Sequence, residues 1–380
     1  MGVMSQFATD SYTPSLPHIA EHFHVPEIMS KLTVGIYFLG MGLSTFLMGY
    51  FIDQYGIKKV LIGGYLLFSL GSVLCFFAQS EGMLILFRLI QGVAMAGSLV
   101  GFRALMKDVF KEGHHLARAS LIISSVVSFT PPLAPISGGI IQEYLGWRYN
   151  FALHLILAVL IVLIIIKYLH VKSSSIARQK FWRRYRAIFL NKTFMLNAAC
   201  SGCAFSIVFV FVTLAPFLCQ DVLDLTPTQY SWLLAAIIMP PAILVILLKN
   251  IVSRLNMDAL MIGCASISII GGVVMALSYV LWGSAIKTII IACIIIFSGN
   301  AFQYTATYVC AYKNITDNVG AASAEYGFMQ IMITSLVSLG VSTITINSQW
   351  PLGILMAIPA FGIIVIKLIE IKSSSSLASQ

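Results

Sequence analysis

Apolar residues in this chain do not alternate with polar ones; they come in runs. VLIGGYLLFSLGSVLCFFA (60–78), FALHLILAVLIVLIII (151–166) and residues 259–281 stay apolar on every face a helix or strand would present. Runs of about 20 residues match a helix crossing a hydrocarbon core about 30 Å thick. Unbroken runs argue against a membrane barrel, whose strands alternate. The pattern predicts twelve transmembrane helices, over 2–20, 31–52, 60–79, 83–106, 118–141, 149–169, 194–218, 228–248, 259–281, 286–308, 321–345 and 351–369. The substantial loop is 170–193 (HVKSSSIARQKFWRRYRAIFLNKT), with six helices before it and six after. The expected organisation is an all-α membrane protein. It has an N-terminal six-helix bundle (1–169), a basic linker (170–193), a C-terminal six-helix bundle (194–370) and a short polar tail (371–380). Within the linker, KFWRRYRAIF mixes aromatic and basic residues as a helix lying on an anionic membrane surface does.

Composition strengthens this reading. The chain is 59% hydrophobic and 10% charged, against about 25% charged in an average soluble domain. A net charge of +9 in a soluble protein would point to nucleic acid. Here the basic residues sort by side. With the N-terminus inside, eighteen of the 23 Lys and Arg fall in inside segments. The outside segments hold Lys31, Arg148 and Lys287, and Arg88 and Arg103 lie in helix 4. That bias predicts both termini in the cytoplasm and no nucleic-acid partner.

Several candidate chemistries lapse on context. Cys200 and Cys203 have redox-motif spacing but sit inside a predicted membrane helix, where small-residue packing is the expectation. His18, His22 and His24 read as interfacial histidines, not metal ligands. The sequons at Asn191 and Asn314 fall in inside loops. Walker A, HExxH and GxSxG patterns are absent, so the expectation is a non-enzyme with no cofactor and no metal. Helices 4 and 10 echo one another: QGVAMAGSLVGFRALMKD (91–108) overlays SGNAFQYTATYVCAYKN (298–314), aligning Gly92 with Gly299 and Ala94 with Ala301.

Charged or ionisable side chains within membrane helices are functional candidates by default. They are Asp10 in helix 1, Arg88 and Arg103 in helix 4, His154 in helix 6 and Glu325 in helix 11. At 1.5 Å per residue, Asp10 and Arg88 lie on the order of 10–15 Å below the outer surface. They are expected to approach each other if helices 1 and 4 are neighbours, and the competing reading is an ion pair that only fixes packing. His154 and Glu325 read as packing or interfacial groups.

Motifs then carry a resemblance. GYFIDQYGIKK (49–59) resembles the loop between helices 2 and 3 of the major facilitator superfamily, roughly G-x-x-x-D-R-x-G-R-[RK]. Gly49, Asp53, Gly56 and Lys58 match, while Gln54 and Ile57 replace the two arginines. RLIQG (88–92) matches the helix 4 pattern R-x-x-Q-G. PPLAPISGG (131–139) is similar to the helix 5 signature of the superfamily's drug/proton antiporters, through Pro131, Pro132, Pro135, Gly138 and Gly139. With DSYTPSLP, RALMKD, LGWRYNF and GAASAEYGFMQ, the chain resembles the Bcr/CflA subfamily of bacterial drug efflux transporters. The resemblance spans essentially the whole chain. It implies a major facilitator fold in the bacterial inner membrane and drug:proton antiport, a route to antibiotic resistance. The energy source would be the proton gradient and the partners small-molecule substrate, protons and lipid; a monomer is expected.

Physical reading adds detail. Asp53 is placed to accept from N–H groups at a neighbouring helix end, a latch on the inner gate. Prolines and glycines of helix 5 remove donors and bulk, letting it bend and approach a helix of the other bundle. Gly97 and Gly101 give helix 4 a small face. Tyr12, Tyr37, Phe38, Gln303, Tyr304 and Tyr308 form the expected substrate surface, stacking and hydrogen bonding without demanding one ligand shape. Asp10 is expected to exchange the coupled proton, with Arg88 as its partner and Gln91 orienting the pair. Two alternatives remain: a transporter of the same fold for a nutrient, metabolite or siderophore, or a non-transporting membrane receptor. The nine residues before Asp10 give helix 1 little inner length, so an upstream start or a weakly anchored helix 1 is expected.

Overall fold

The computed structural model describes residues 3–109, 131–169, 186–252, 254–313, 315 and 319–378. Among these the architecture is all-helical. Nine helices are long and apolar enough to cross a membrane, by length and composition. Residues 118–130 of predicted helix 5, most of the linker and Asn314 lie outside the described residues. So do the side chains of Asp53 and Arg103.

Helix 1 is not the continuous span that periodicity predicts. It runs as α1 (Met4–Asp10), a 3-10 turn (Thr13–Ser15) and α2 (Leu16–Phe23). Pro14 has no N–H to reach the carbonyl of Asp10. The Thr13 hydroxyl takes that carbonyl instead, at 3.0 Å. α3 (Glu27–Tyr55) and α4 (Ile57–Phe76) meet at Gly56, whose φ of 82° suits glycine. α5 (Glu81–Val109), α6 (131–144) and α7 (Arg148–Tyr168) follow.

After a helical turn, α8 (186–189), comes α9 (Lys192–Phe217). Its first turn is capped by Asn191, whose side chain accepts from the Phe194 N–H at 3.0 Å. α9 continues into a π-helical turn, Leu218–Val222. α10 (Pro227–Val252) and α11 (Met257–Trp282, capped by Asn256) come next. Predicted helix 10 divides at Phe302 into α12 (Ile286–Ala301) and α13 (Gln303–Tyr312). The chain ends with α14 (Val319–Ser342) and α15 (Gln349–Ala378), which stays helical well into the expected tail.

Packing brings α3 against α5, and α4 against α5 and α7; α9 lies against α13, α14 and α15, and α11 against α12 and α15. The seam between the earlier and later helices runs along α3 and α14. There the Ser335 hydroxyl donates to the Gly35 carbonyl at 3.0 Å. Outward faces carry bare aliphatic side chains, such as Ile156, Leu163, Ile270 and Leu277, each more than half exposed. That is the surface expected of helices facing lipid.

Candidate functional site

The break in helix 1 places Asp10 at the end of α1, buried at 6% exposure. Both carboxylate oxygens accept from Gln6 Nε2, at 3.0 and 3.1 Å. Arg88 on α5 is fully buried. Its Nη1 donates to Gln91 Oε1 at 2.9 Å, and Gln91 Nε2 donates to the Ser72 hydroxyl of α4 at 2.9 Å. Nε and Nη2 of Arg88 have no hydrogen-bond partner among the described residues. No ion pair joins Asp10 and Arg88 among the described residues. The guanidinium lies instead between two rings, 4.7 Å from the centroid of Tyr12 and 4.3 Å from that of Tyr37. Aromatic faces stabilise a desolvated cation by about 2 kcal/mol. Both rings are fixed, Tyr37 by donating to the Ser5 carbonyl at 3.1 Å and Tyr12 through Thr33 at 3.0 Å.

His154 belongs to this cluster, although its sequence context reads as packing. Its Nε2 lies 2.8 Å from the Ser11 hydroxyl, which itself lies 2.8 Å from the Phe7 carbonyl. The hydroxyl proton goes to that carbonyl, so His154 Nε2–H is the donor to Ser11. Nδ1 is left without a partner. One turn earlier, Asn150 Nδ2 donates to the Ser15 hydroxyl at 3.0 Å. α7 therefore grips the helix 1 break at Ser11, before its 3-10 turn, and at Ser15, the turn's last residue. The available signal was a lone imidazole in an otherwise aliphatic run.

An aromatic band crosses the seam from this cluster. Phe38, beside Tyr37 on α3, meets Phe209 of α9 at 4.3 Å between centroids and Phe205 at 6.5 Å. Phe205 continues to Tyr304 of α13 at 6.0 Å. Tyr12, Tyr37, Phe38 and Tyr304 are thus brought together with Phe205 and Phe209, which sequence reasoning missed despite the aromatic run FSIVFVF (205–211). Two expected members fall elsewhere. Gln303 is buried and turned to α11, donating to the Met261 carbonyl at 2.8 Å. Tyr308 is 46% exposed and stacks on Tyr312 at 4.3 Å. Gln303 points about 100° around α13 from Tyr304, while Tyr308 lies one turn further along nearly the same face, beside Tyr312 and Tyr326.

Helix 5 makes the tightest approaches. A Cβ on Gly138 would stand 1.7 Å from the Ser11 carbonyl oxygen at the helix 1 break. One on Gly139 would stand 2.1 Å from Ser231 Oγ and 2.5 Å from the Pro227 oxygen of α10, across the seam. Pro131 is half-buried, and Pro132 and Pro135 are buried. Of the gate-loop residues, Gly49 lies in α3, Gly56 forms the turn and Lys58 Nζ donates to the Ile166 carbonyl at the end of α7, at 3.1 Å.

Where the chain turns at 24–26 and 223–226, direct contacts bridge the seam. Lys31, fully buried, donates to Glu27 at 2.6 Å and to the Ile344 carbonyl at 3.1 Å, and lies 4.5 Å over the Phe217 ring. Gln220 donates to the Pro14 carbonyl at 3.0 Å. Glu143 accepts from the Thr228 backbone N–H at 3.1 Å. Donors from the Thr228 and Thr226 side chains and that N–H hold the Glu143 carboxyl below the usual carboxylate range. At the opposite end a cluster not foreseen from sequence surrounds Lys367, paired with Asp258 and Glu370 at 2.5 Å each and with Asn197 at 3.1 Å. Glu325 is buried, and neither carboxylate oxygen is hydrogen-bonded among the described residues.

Membrane-length helices with lipid-like faces, enclosing a buried arginine, carboxylate and imidazole around a broken helix, define a multi-pass membrane protein built to move solutes. The family model described as Major Facilitator Superfamily matches residues 1–341. The chain belongs to that superfamily of transporters. It is 23% identical over 374 residues to "Uncharacterized MFS-type transporter YdgK" of Bacillus subtilis, covering 95% of this chain and 90% of that protein. It is 26% identical over 232 residues to an "Uncharacterized transporter" of Rickettsia bellii, covering 60% of this chain and 57% of that one. "Multidrug resistance protein MdtL" of Salmonella paratyphi B is 26% identical over 227 residues, 58% of this chain and 57% of that protein. The chain thus matches a little over half the length of these last two relatives.

Proposed function

We propose that the protein is a proton-coupled exporter of small hydrophobic or amphipathic compounds, of the Bcr/CflA type. In this reading twelve helices form two six-helix bundles joined by the basic linker, in a bacterial inner membrane with both termini cytoplasmic. The bundles rock about the aromatic band, opening one side at a time. The protein works as a monomer, and the proton gradient replaces any bound cofactor.

The observation that carries the reading is the buried Arg88 guanidinium, held by two tyrosine faces and Gln91 with no carboxylate paired to it among the described residues. A buried charge without a counter-ion is costly and is kept where function uses it. Asp10 sits where α1 ends and helix 1 is interrupted, and Gln6 holds it in this conformation. Proton uptake removes the negative charge that Gln6 donates to. The freed segment then reorients at Pro14, carrying Tyr12 and the face of the aromatic band with it. The similarity to a multidrug resistance protein supports efflux as the direction.

The test is transport in proteoliposomes under an imposed pH gradient, with a panel of lipophilic cations, neutral drugs, nutrients and siderophores. Asp10→Asn is expected to fold and bind substrate but lose gradient-driven transport. Arg88→Ala is expected to shift or abolish the pH dependence. Gradient-driven transport at the wild-type rate by well-folded Asp10→Asn removes the mechanism. Uptake confined to a nutrient or siderophore removes the efflux reading.

A further inference from the structure

α7 ties to the broken helix 1 at three levels. His154 meets Ser11 and Asn150 meets Ser15, both inside the protein. The third tie is the outermost, and it is exposed. Arg148, the first residue of α7, brings Nη1 to 3.1 Å from His22 Nε2, near the end of α2. The same guanidinium donates from Nε to the Phe76 carbonyl at 3.1 Å and from Nη2 to the Ala78 carbonyl at 2.9 Å. Those carbonyls lie at the C-terminal end of α4, so one side chain joins the ends of helix 1, α4 and α7. Trp147 packs against this clasp. Arg148 lies 4.4 Å over its ring, and the His22 and Phe23 rings stand 5.7 and 5.6 Å from it.

Geometry alone fixes the protonation state of His22. A guanidinium only donates. His22 Nε2 is therefore the acceptor, and the ring proton sits on Nδ1. A second proton would occupy Nε2, remove the acceptor and set two cations in contact. Partial burial, then the Arg148 charge, then His24 hold the imidazole below its ordinary value of 6.5. The sign follows: the tie is whole above pH 6.5 and is lost as pH falls through the lowered value. The other ionisable groups at this end are His18, Glu21 and His24 on or beside α2, Glu27 and Lys31 on α3, and Glu81 on α5. Lys31 holds Glu27, and no carboxylate pairs with His22 or Arg148 among the described residues. α4 meets the guanidinium with its carbonyls. The two inner ties are buried, whereas the outer one answers to protons in bulk solution.

We propose that Arg148 is a positioning residue for the outer end of helix 1 and that His22 makes its hold acid-sensitive, so that protons at this end loosen the same broken helix that carries Asp10. The clasp is an element distinct from the Asp10 and Arg88 cluster. In the orientation given above, it meets the acid side of the membrane. The loosening itself stands whether or not the protein exports drugs.

Hydrogen exchange of residues 16–23, read by mass spectrometry on the full chain in nanodiscs, tests this, because exchange tracks local opening. His22→Gln is the comparison: glutamine still offers Arg148 an oxygen and does not titrate. Comparing the two proteins at one pH cancels the chemistry of exchange and the titration of every other group. At pH 7.5 their rates should match. At pH 5 the wild type should exchange about threefold or more faster, within the roughly tenfold that one unit of lowered proton affinity corresponds to. In an Arg148→Met background the difference at pH 5 should vanish. Equal or slower exchange of the wild type at pH 5, or a difference that persists without Arg148, overturns the proposal. If Arg148→Met does not fold, the imidazole resonances of the wild type decide. The resonance lost in His22→Gln should titrate below 6.5, and a midpoint at or above that value rejects the clasp. Acid loosening in a protein that fails every transport assay would leave the clasp standing and remove the efflux reading instead.

Discussion

Lys31 makes two contacts across the seam, so Lys31→Met is a sharp perturbation of closure at that end. The ammonium donates to the Ile344 carbonyl and lies over the Phe217 ring, both across the seam, while Glu27 holds it from its own helix. A hydrogen bond from a charged donor contributes about 1.5–3 kcal/mol net. The cation–ring contact adds about 0.5–2 kcal/mol. Against these, methionine needs no desolvation of charge, and a well-packed apolar replacement of a buried ion pair is sometimes neutral. Glu27, with 33% of its side chain exposed, returns to water at little cost. The carbonyl at Ile344 has no such substitute from methionine. Setting these together, closure loses about 2 kcal/mol, about thirtyfold in the open-to-closed ratio. Ser335→Cys supplies the reporter, because Ser335 is fully buried at the seam. When opening is fast, its modification rate tracks the open fraction. The rate in a Lys31→Met background should rise about thirtyfold over the reporter alone, with Lys31→Arg in between. Rates within twofold of each other, or slower modification with methionine, would refute the reasoning.

Three further outcomes follow from the geometry. Gly139→Ala drives a Cβ into the Pro227 carbonyl, which cannot move aside as the Ser231 hydroxyl can. It should cost about 1–3 kcal/mol, read as a lower thermal midpoint that Ser231→Ala does not restore; an unchanged midpoint contradicts the contact. Glu143, exposed and held below the usual carboxylate range by donors from Thr228 and Thr226, strengthens closure at pH above its unfolded value of about 4.3. That contribution disappears as pH falls through the lowered folded value. The Ser335→Cys rate divided by that of the same reporter in a Glu143→Gln background, a ratio that cancels the thiolate's own pH dependence, should therefore stay flat from neutral pH to about 5 and rise toward one only below about 4.3; a rise near pH 6 contradicts this assignment. For orientation, Tyr144→Cys and Trp282→Cys stand at exposed last residues of α6 and α11, 77% and 69% exposed. An impermeant thiol reagent should reach both from outside intact cells and leave Lys313→Cys untouched; the reverse pattern inverts the topology.

Where a predicted span matches one helix of the structure, its existence was legible because it depends on that segment alone. Crossing a bilayer demands an apolar run of fixed length, and α4, α7 and α11 begin and end within a few residues of their expected bounds. The superfamily was legible for a related reason, since its loop and helix 5 motifs are contiguous strings. The site was legible only where chemistry is costly. Asp10, Arg88 and Gln91 stand out in an apolar chain, and Gln91 does bond Arg88. What holds the arginine was harder to read. Tyrosines are common in membrane helices, and nothing local says that two of them face one guanidinium. The prolines marked where helix 1 weakens, but its division into three segments depends on Thr13, Ser11 and Ser15 finding partners, two of them on α7. Gln303 and Tyr304 differ by one position yet face different neighbours, because a helix turns about 100° per residue. Assigning one to the band and the other to α11 requires the rotation of α13, which Phe302 resets where it interrupts the helix. Rotation and seam contacts arise between segments distant in the chain, carried by single atoms such as the Pro14 and Ile344 carbonyls. Every residue has such a carbonyl, so no residue type announces which ones the fold will use.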